Sequence, residues 1–505
     1  MTALATPSPT RAGLPDWRRG PAFVIALAGL AVHLAFAAGY GYHRDELYFL
    51  AESKRMAWGF ASEPPFTPAV GWVSRALFGD ALIGLRLWPA LAGAAFVLLA
   101  TLVARELGGR LTAQLTAGIC VGTATMWLAL FHLYGPSAFD QVAWAGCLLV
   151  LVKLLRGADQ RWWLAFGAIA GVGLLNKNTL VLLALGLVPA LLLSRTQRHL
   201  LRSPYLWLGG VLAVAVASPF LLWQAAHDWP MVAVAATISH DFGGPVGALT
   251  YLPMQVLTMN PLLLPVWVAG LWWLLRSPGW RPIGSVYLLL LVLLAVIGGR
   301  SYYLAPMYLP LFAAGGIGIE RWLARPGVRL RARVVPVVLV AVAVITSPMA
   351  LPVLPLALQR DLPFTSINPV LGDAIGWPQF VAQLAAVRDG LPAAERAGVM
   401  VLAANYGEAG AVEALGGPYG LGQPVSGHNN YWQWGPPPAG TDTVIAVGFR
   451  DSGALQRVFG DVRRAGTVDN GPGIDNEEQG LPIWICRYPV APWAQLWPGF
   501  QHNTN

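Results

Sequence analysis

The sequence predicts a polytopic α-helical membrane protein of about eleven transmembrane helices, with interfacial helices on the outer face and a small C-terminal α/β domain. Three observations predict it. The 505 residues are 56% hydrophobic and only 11% charged, against about 25% charged in a soluble protein. Apolar runs near bilayer-spanning length, roughly 20 residues, follow one another as far as residue 356, after which the composition changes. The 22 Trp residues suit anchoring at the headgroup level, which indole rings favour.

The chain opens on a polar, Pro-rich tail, residues 1–20. The apolar segment after it lacks a small-residue cleavage site and reads as a retained helix. Candidate spans fall at 21–41, 82–104, 112–131, 138–155, 162–175, 178–194, 204–225, 251–275, 282–299, 302–320 and 334–356. With a cytoplasmic N-terminus, 18 Lys and Arg lie in inside segments and 7 outside. That is the bias of the positive-inside rule. It places the first loop, 42–81, and residues 357–505 on the outer face of the plasma membrane. The net charge of +8 is spread over short clusters between spans, so no nucleic-acid partner is expected. Three cysteines show neither a disulfide framework nor metal spacing.

Beyond residue 357, "AGVMVLAANYGEAGAVEALGG" reads as a buried strand, a polar loop and a helix ended by Gly-Gly. "DTVIAVGFRD" and "LPIWICRYP" read as two more strands.

Charge is rare here, so where it gathers is informative. The first outer loop holds Arg44 and the adjacent carboxylates Asp45 and Glu46. "LYFLAESKRMAWGF" follows, amphipathic enough to lie along the membrane interface. "SEPPFTPAV", with Glu63, Pro64 and Pro65, reads as a rigid extended turn re-entering the bundle and walling a cleft beside Asp45. A partly desolvated carboxylate there suits a general base. Lys177 breaks two apolar segments, and Arg300 precedes Tyr302 and Tyr303 on the same face; an anionic headgroup between them would explain both cations. Asp140 stands at the start of a span, where a carboxylate also favours a helix N-terminus. His227-Asp228 and His240-Asp241 leave a divalent metal open, although such dipeptides are usually solvated; no metal ligand or cofactor is assigned, and His240 and Asp241 count instead among the candidate acceptor or sugar contacts. His428, Asn429, Tyr431 and Trp432 in "SGHNNYWQWGPP" have the composition of a carbohydrate contact or of a docking surface.

"HRDELYFLA", "EPPFTPAV", "NKNTLVLL", "GRSYYLAPMYLPLFAAGG" and "NYGEAGAVEALGG…SGHNNYWQWGPP" together resemble bacterial membrane glycosyltransferases of the dolichyl-phosphate-mannose-protein mannosyltransferase superfamily. Protein O-mannosyltransferases and the lipid A aminoarabinose transferase are its relatives. The resemblance implies the GT-C architecture, a polyprenyl-phosphate-linked sugar donor, a protein, lipid or polysaccharide acceptor, and transfer with inversion at the outer face. It implies Asp45 as the base with Glu46 beside it, and Lys177 and Arg300 around the donor phosphate. Relatives carry His, Lys or Gln before the Pro-Pro pair, where this chain has Glu63, an anion that disfavours a nearby phosphate unless paired or protonated. A transporter of lipid-linked sugars and a non-catalytic glycan-binding assembly protein are the rival readings. Transporters often show repeated halves, and the sequence has none.

Overall fold

The computed structural model describes residues 13–325, 329–362, 365 and 368–503, so most of the N-terminal tail lies outside the described residues. Sixteen helices of the N-terminal two thirds matter here. They are α1 (Arg19–Ala35), α2 (Arg44–Ser53), α3 (Phe66–Phe78), α4 (Leu82–Glu106), α5 (Leu111–Thr123), α6 (Thr125–Leu130), α7 (Pro136–Leu155), α8 (Trp162–Leu174), α9 (Leu180–Leu193), α10 (Pro204–Ala226), α11 (Pro230–Phe242), α12 (Gly244–Thr258), α13 (Leu264–Arg276), α14 (Arg281–Ile297), α15 (Tyr308–Leu323) and α16 (Arg329–Thr346). Their starts follow local chemistry. Pro136, Pro204 and Pro282 sit in the first turn of α7, α10 and α14, where a missing N–H costs nothing.

All eleven expected spans fall on helices, two of them broken. The segment 112–131 is α5 followed by the single turn and a half of α6. The segment 251–275 is the pair α12–α13, bent by 82° around Asn260-Pro261. Among the described residues, α4, α7, α10 and the continuous stretch Ser301–Leu323 are long and apolar enough to cross a membrane, and the bent pair makes a fifth if taken as one span. The remaining apolar helices run 10–17 residues. Helix α11 was not expected.

Residues 400–489 build a five-stranded sheet in the order β2-β1-β3-β5-β4, from β1 (Met400–Ala403), β2 (Val425–Ser426), β3 (Thr443–Val447), β4 (Phe459–Thr467) and β5 (Pro482–Pro489). The strands β2, β1 and β3 run parallel; β5 is antiparallel to β3 and to β4. The apolar runs of β1 and β3 are covered on both sides, as parallel strands require. Leu402, Val444 and Ala446 pack with Trp493 and Trp497 on one face. Val401, Ile445 and Val447 pack with Phe380 and Leu384 on the other. The three expected strands (β1, β3 and β5) and the helix Tyr406–Leu415 match the sequence expectation; β2 and β4 were not foreseen.

Two expectations for the first loop fail. The segment after Asp45 turns its apolar face to protein: eight of the ten α2 residues are buried, and Leu47, Tyr48 and Phe49 belong to the core beneath the sheet. Gly410 lets the helix Tyr406–Leu415 close onto Leu47 of α2; a Cβ there would strike the Leu47 backbone. Lys54 and Arg55, expected to snorkel, pair instead with Glu413 at 3.6 and 2.9 Å. The amphipathic period was real, but its partner lies some 360 residues away. The Pro-Pro stretch is likewise not an extended turn, because Pro65 (φ −76°, ψ −11°) caps α3, which starts at Phe66.

Candidate active site

"HRDE" is where the site begins, because it starts α2 with a capping box. The Asp45 amide donates to His43 Nδ1 (3.1 Å), and the His43 amide donates to Glu46 Oε2 (2.8 Å). The two adjacent carboxylates therefore have different work. Glu46 is fully buried and does not line the cavity that Asp45 faces. Its oxygens take Arg86 Nε (2.9 Å) and Nη2 (2.7 Å) and the Tyr134 amide (2.8 Å). Arg86 in turn donates to the carbonyls of Ala37 and Gly41. Glu46 is thus a structural strap, a correction to its expected place beside the base.

Asp45, one residue earlier, looks into a cavity of about 510 Å³. Its carboxylate remains 42% exposed there while ringed by His43 (3.8 Å), Arg44 (3.8 Å) and the Tyr406 hydroxyl, which donates to Oδ1 at 2.8 Å. Burial alone would raise its pKa. The neighbouring His43 and Arg44, the Tyr406 hydrogen bond and the charge of Arg300 outweigh it and hold the carboxyl below its usual range. Asp45 is ionised at neutral pH.

The same cavity gathers Lys177, Arg300, Tyr302, Tyr303, Glu63 and Asn429 from four separate segments. Lys177 lies in the loop between α8 and α9, which the Pro-Pro segment fixes. The Phe66 amide donates to the Leu175 carbonyl (2.9 Å), and Thr67 Oγ1 to Asn176 Oδ1 (2.8 Å). Pro64 and Pro65 thus act through this loop without lining the cavity themselves. Lys177 Nζ donates to Ser137 Oγ (2.8 Å) and stands 4.8 Å from the Tyr302 ring and 5.7 Å from Tyr303. Arg300 lies 5.1 Å over the Phe242 ring. Among the described residues neither cation reaches a carboxylate at ion-pair distance. Met126, Leu130, Val234, Ile238, Met254 and Leu257 line the same space with apolar surface. One cavity therefore presents two cations, a carboxylate and a greasy wall.

Glu63 is buried, and its neighbour is Glu52 of α2, a residue the sequence reading did not single out. Burial pushes Glu52 up to about 7. Burial first, then the charge of Glu52, push Glu63 well above the usual carboxylate range, against the pull of Lys177. Two carboxyls this close do not both ionise, so the pair keeps a proton at neutral pH.

Other expected residues go elsewhere. Asp140 is buried in α7, a turn past its start, accepts from Thr179 Oγ1 at 2.6 Å and does not line the cavity. His240 is exposed on α11, away from the cavity lining, and the Asp241 side chain lies outside the described residues. Tyr431 donates to Glu413 (3.0 Å) and Trp432 to the Trp497 carbonyl (3.1 Å), so both hold the C-terminal region together and neither reaches the cavity. His428 stacks between Tyr406 (4.6 Å) and His502 (4.7 Å). Among the described residues no three His, Cys, Asp or Glu side chains stand together as a metal site. Sequence reasoning missed His43, Tyr48, Tyr406 and Arg86. His43 alone had a local signal, as the N-cap of an S-x-x-E-like box.

Comparison with known proteins follows the same outline. Residues 62–223 match the family model of the dolichyl-phosphate-mannose-protein mannosyltransferases. The structure superposes on ArnT from Cupriavidus metallidurans bound to undecaprenyl phosphate with a TM-score of 0.60 and 16% identity, over 92% of this chain and 97% of that one. The fold is the GT-C glycosyltransferase fold. This GT-C chain also matches the apo form of the same ArnT at 0.59 with 16% identity and the same coverage. The mycobacterial arabinofuranosyltransferase AftD matches at 0.51 with 14% identity, over 95% of this chain and 41% of that longer one. No curated protein matches by sequence.

Proposed function

We propose that the chain is an integral-membrane glycosyltransferase that moves a sugar from a polyprenyl-phosphate donor to an acceptor hydroxyl, with inversion, at the outer face of the plasma membrane. In this reading the eleven apolar segments cross or enter the bilayer, the N-terminus is cytoplasmic, and residues 357–505 form the outer-face domain. The observation that carries it is the single cavity holding Asp45, Lys177 and Arg300 against an apolar wall. The ArnT with this fold is described as bound to undecaprenyl phosphate, and the family model names dolichyl-phosphate-mannose.

The chemistry needs little more. Asp45 takes the proton from the acceptor hydroxyl as its oxygen attacks the anomeric carbon from the side opposite the leaving group. The bond from that carbon to the phosphate oxygen breaks, and the lipid phosphate leaves as an anion, so no strong general acid is needed. Lys177 and Arg300 are preorganised for the charge that grows on it. The sugar is transferred once and inverts. No step calls for a metal or cofactor.

Replacing Lys177 or Arg300 by Met is expected to weaken polyprenyl phosphate binding by about tenfold to a hundredfold each, the worth of one charge-assisted contact. Binding of a fluorescent polyprenyl phosphate to the purified variants checks this. Wild-type affinity in both would refute the phosphate assignment.

Glu63 beside that phosphate is tolerable because it is protonated. A raised carboxyl keeps its proton below its pKa and loses it as pH rises through that value. Donor affinity should therefore decline as pH climbs above about 7, when Glu52 and then Glu63 ionise. Glu63→Gln should bind as wild type at neutral pH and show a flatter alkaline decline. An unchanged decline in Glu63→Gln would contradict the shared proton.

A further inference from the structure

A second cavity, of about 230 Å³, opens on the other side of Arg44 and Tyr406. It sits over the carboxyl ends of β1 and β3, walled by Ala404 and Asn405 after the first strand and Gly448 and Arg450 after the second. From β1 the chain crosses through the helix Tyr406–Leu415 to β2 on one side, while β3 lies on the other. Such a reversal of strand order is where open α/β sheets form ligand crevices.

The usual occupant of that position is a phosphate on the helix N-terminus. Here the chain fills the place itself. Glu408 Oε2 accepts the amides of Ala404 (3.0 Å) and Asn405 (3.1 Å). Gly448 leaves room for that carboxylate, since a Cβ there would collide with both of its oxygens. The helix terminus is thereby occupied, so an anion finds no free amide pair there, and burial pushes the Glu408 carboxyl up to about 7. What remains open is an acceptor: Glu408 Oε1 is fully buried, lines the cavity and has no partner. Arg450 supplies further donors, and the ion pair of Arg44 with Glu477, together with Tyr406 and His428, completes the lining.

A ligand that satisfies this lining presents donors and acceptors at once, carries no negative charge and has one ring's worth of volume. We propose that the cavity binds a neutral monosaccharide unit. It rests on the proposed function only in taking that unit as part of the acceptor, which makes the acceptor a glycan or glycolipid. Because Tyr406 both lines this cavity and donates to Asp45, a sugar held there is next to the base it must feed.

The test uses the full-length chain in detergent, with saturation-transfer NMR of free D-mannose, D-galactose, D-glucose and L-arabinose, each to tens of millimolar, and inorganic phosphate alongside. At least one aldose should bind saturably. Arg450→Ala, an exposed position outside the Asp45 cavity, should weaken it about tenfold, one lost charged contact. Glu408→Gln, which can still cap the helix, should do the same, and Asp45→Asn should bind like wild type. No saturable aldose binding, undiminished binding in both pocket variants, or phosphate competing at this site would overturn the proposal. Those results leave the base assignment standing, because that falls only if Asp45→Asn still transfers sugar.

Discussion

Asp45→Asn is expected to lower sugar transfer by about 10²–10⁴, the usual worth of a positioned general base, while polyprenyl phosphate binding stays within about threefold, well under the 1.4 kcal/mol of a tenfold change. The substitution is nearly isosteric and keeps an oxygen for the Tyr406 hydroxyl to donate to. It removes the charge that Arg44 and Arg300 stabilise and the lone pair that accepts the acceptor's proton. The depressed pKa sets the pH behaviour. A carboxyl held below its usual range stays charged until pH falls below that range, so the acid limb of the wild-type rate should lie lower than that of an ordinary aspartate. Removing the Arg44 charge moves the limb upward. Transfer by purified Asp45→Asn at the wild-type rate would end the base assignment.

Arg86→Met is expected to cost about 3–5 kcal/mol of stability, the penalty for leaving one partner of a buried ion pair alone. Glu46 is fully buried and Arg86 is 2% exposed, so neither finds water when the other is lost. The damage reaches beyond the pair. Arg86 also satisfies the carbonyls of Ala37 and Gly41 in the link from α1 to α2, and Glu46 caps α2 and receives the Tyr134 amide. The expected result is a markedly lower thermal midpoint in detergent. The double variant Glu46→Gln/Arg86→Met should recover part of the loss, because it leaves no unpaired charge. An unchanged midpoint in Arg86→Met would show that the strap does not hold the site.

These two residues also mark what the sequence could reveal. The apolar periods located the spans, and the scarcity of charge made Asp45, Lys177 and Arg300 conspicuous; all three reach one cavity. Contacts made at long range stayed hidden. Arg86 looked like one more outer-face arginine, since nothing local signals a bidentate partner 40 residues back. Tyr406 lies 361 residues from the carboxylate it bonds. The burial of α2 could not be foreseen either, because an amphipathic period has the same form against a membrane as against a helix. Glu46 stands too close to Asp45 in sequence to be told apart from it, and only the turn of α2 separates the capping carboxylate from the one that faces the cavity. Glu63, anomalous as a lone anion, becomes intelligible once Glu52 is beside it.

The most direct test of the central claim is the pool of lipid-linked sugars in cells whose only copy of this chain carries Asp45→Asn. One polyprenyl-phosphate sugar should accumulate there and fall again when the wild-type chain is restored. A pool identical in both cells would contradict a sugar transfer from a lipid-phosphate donor by Asp45.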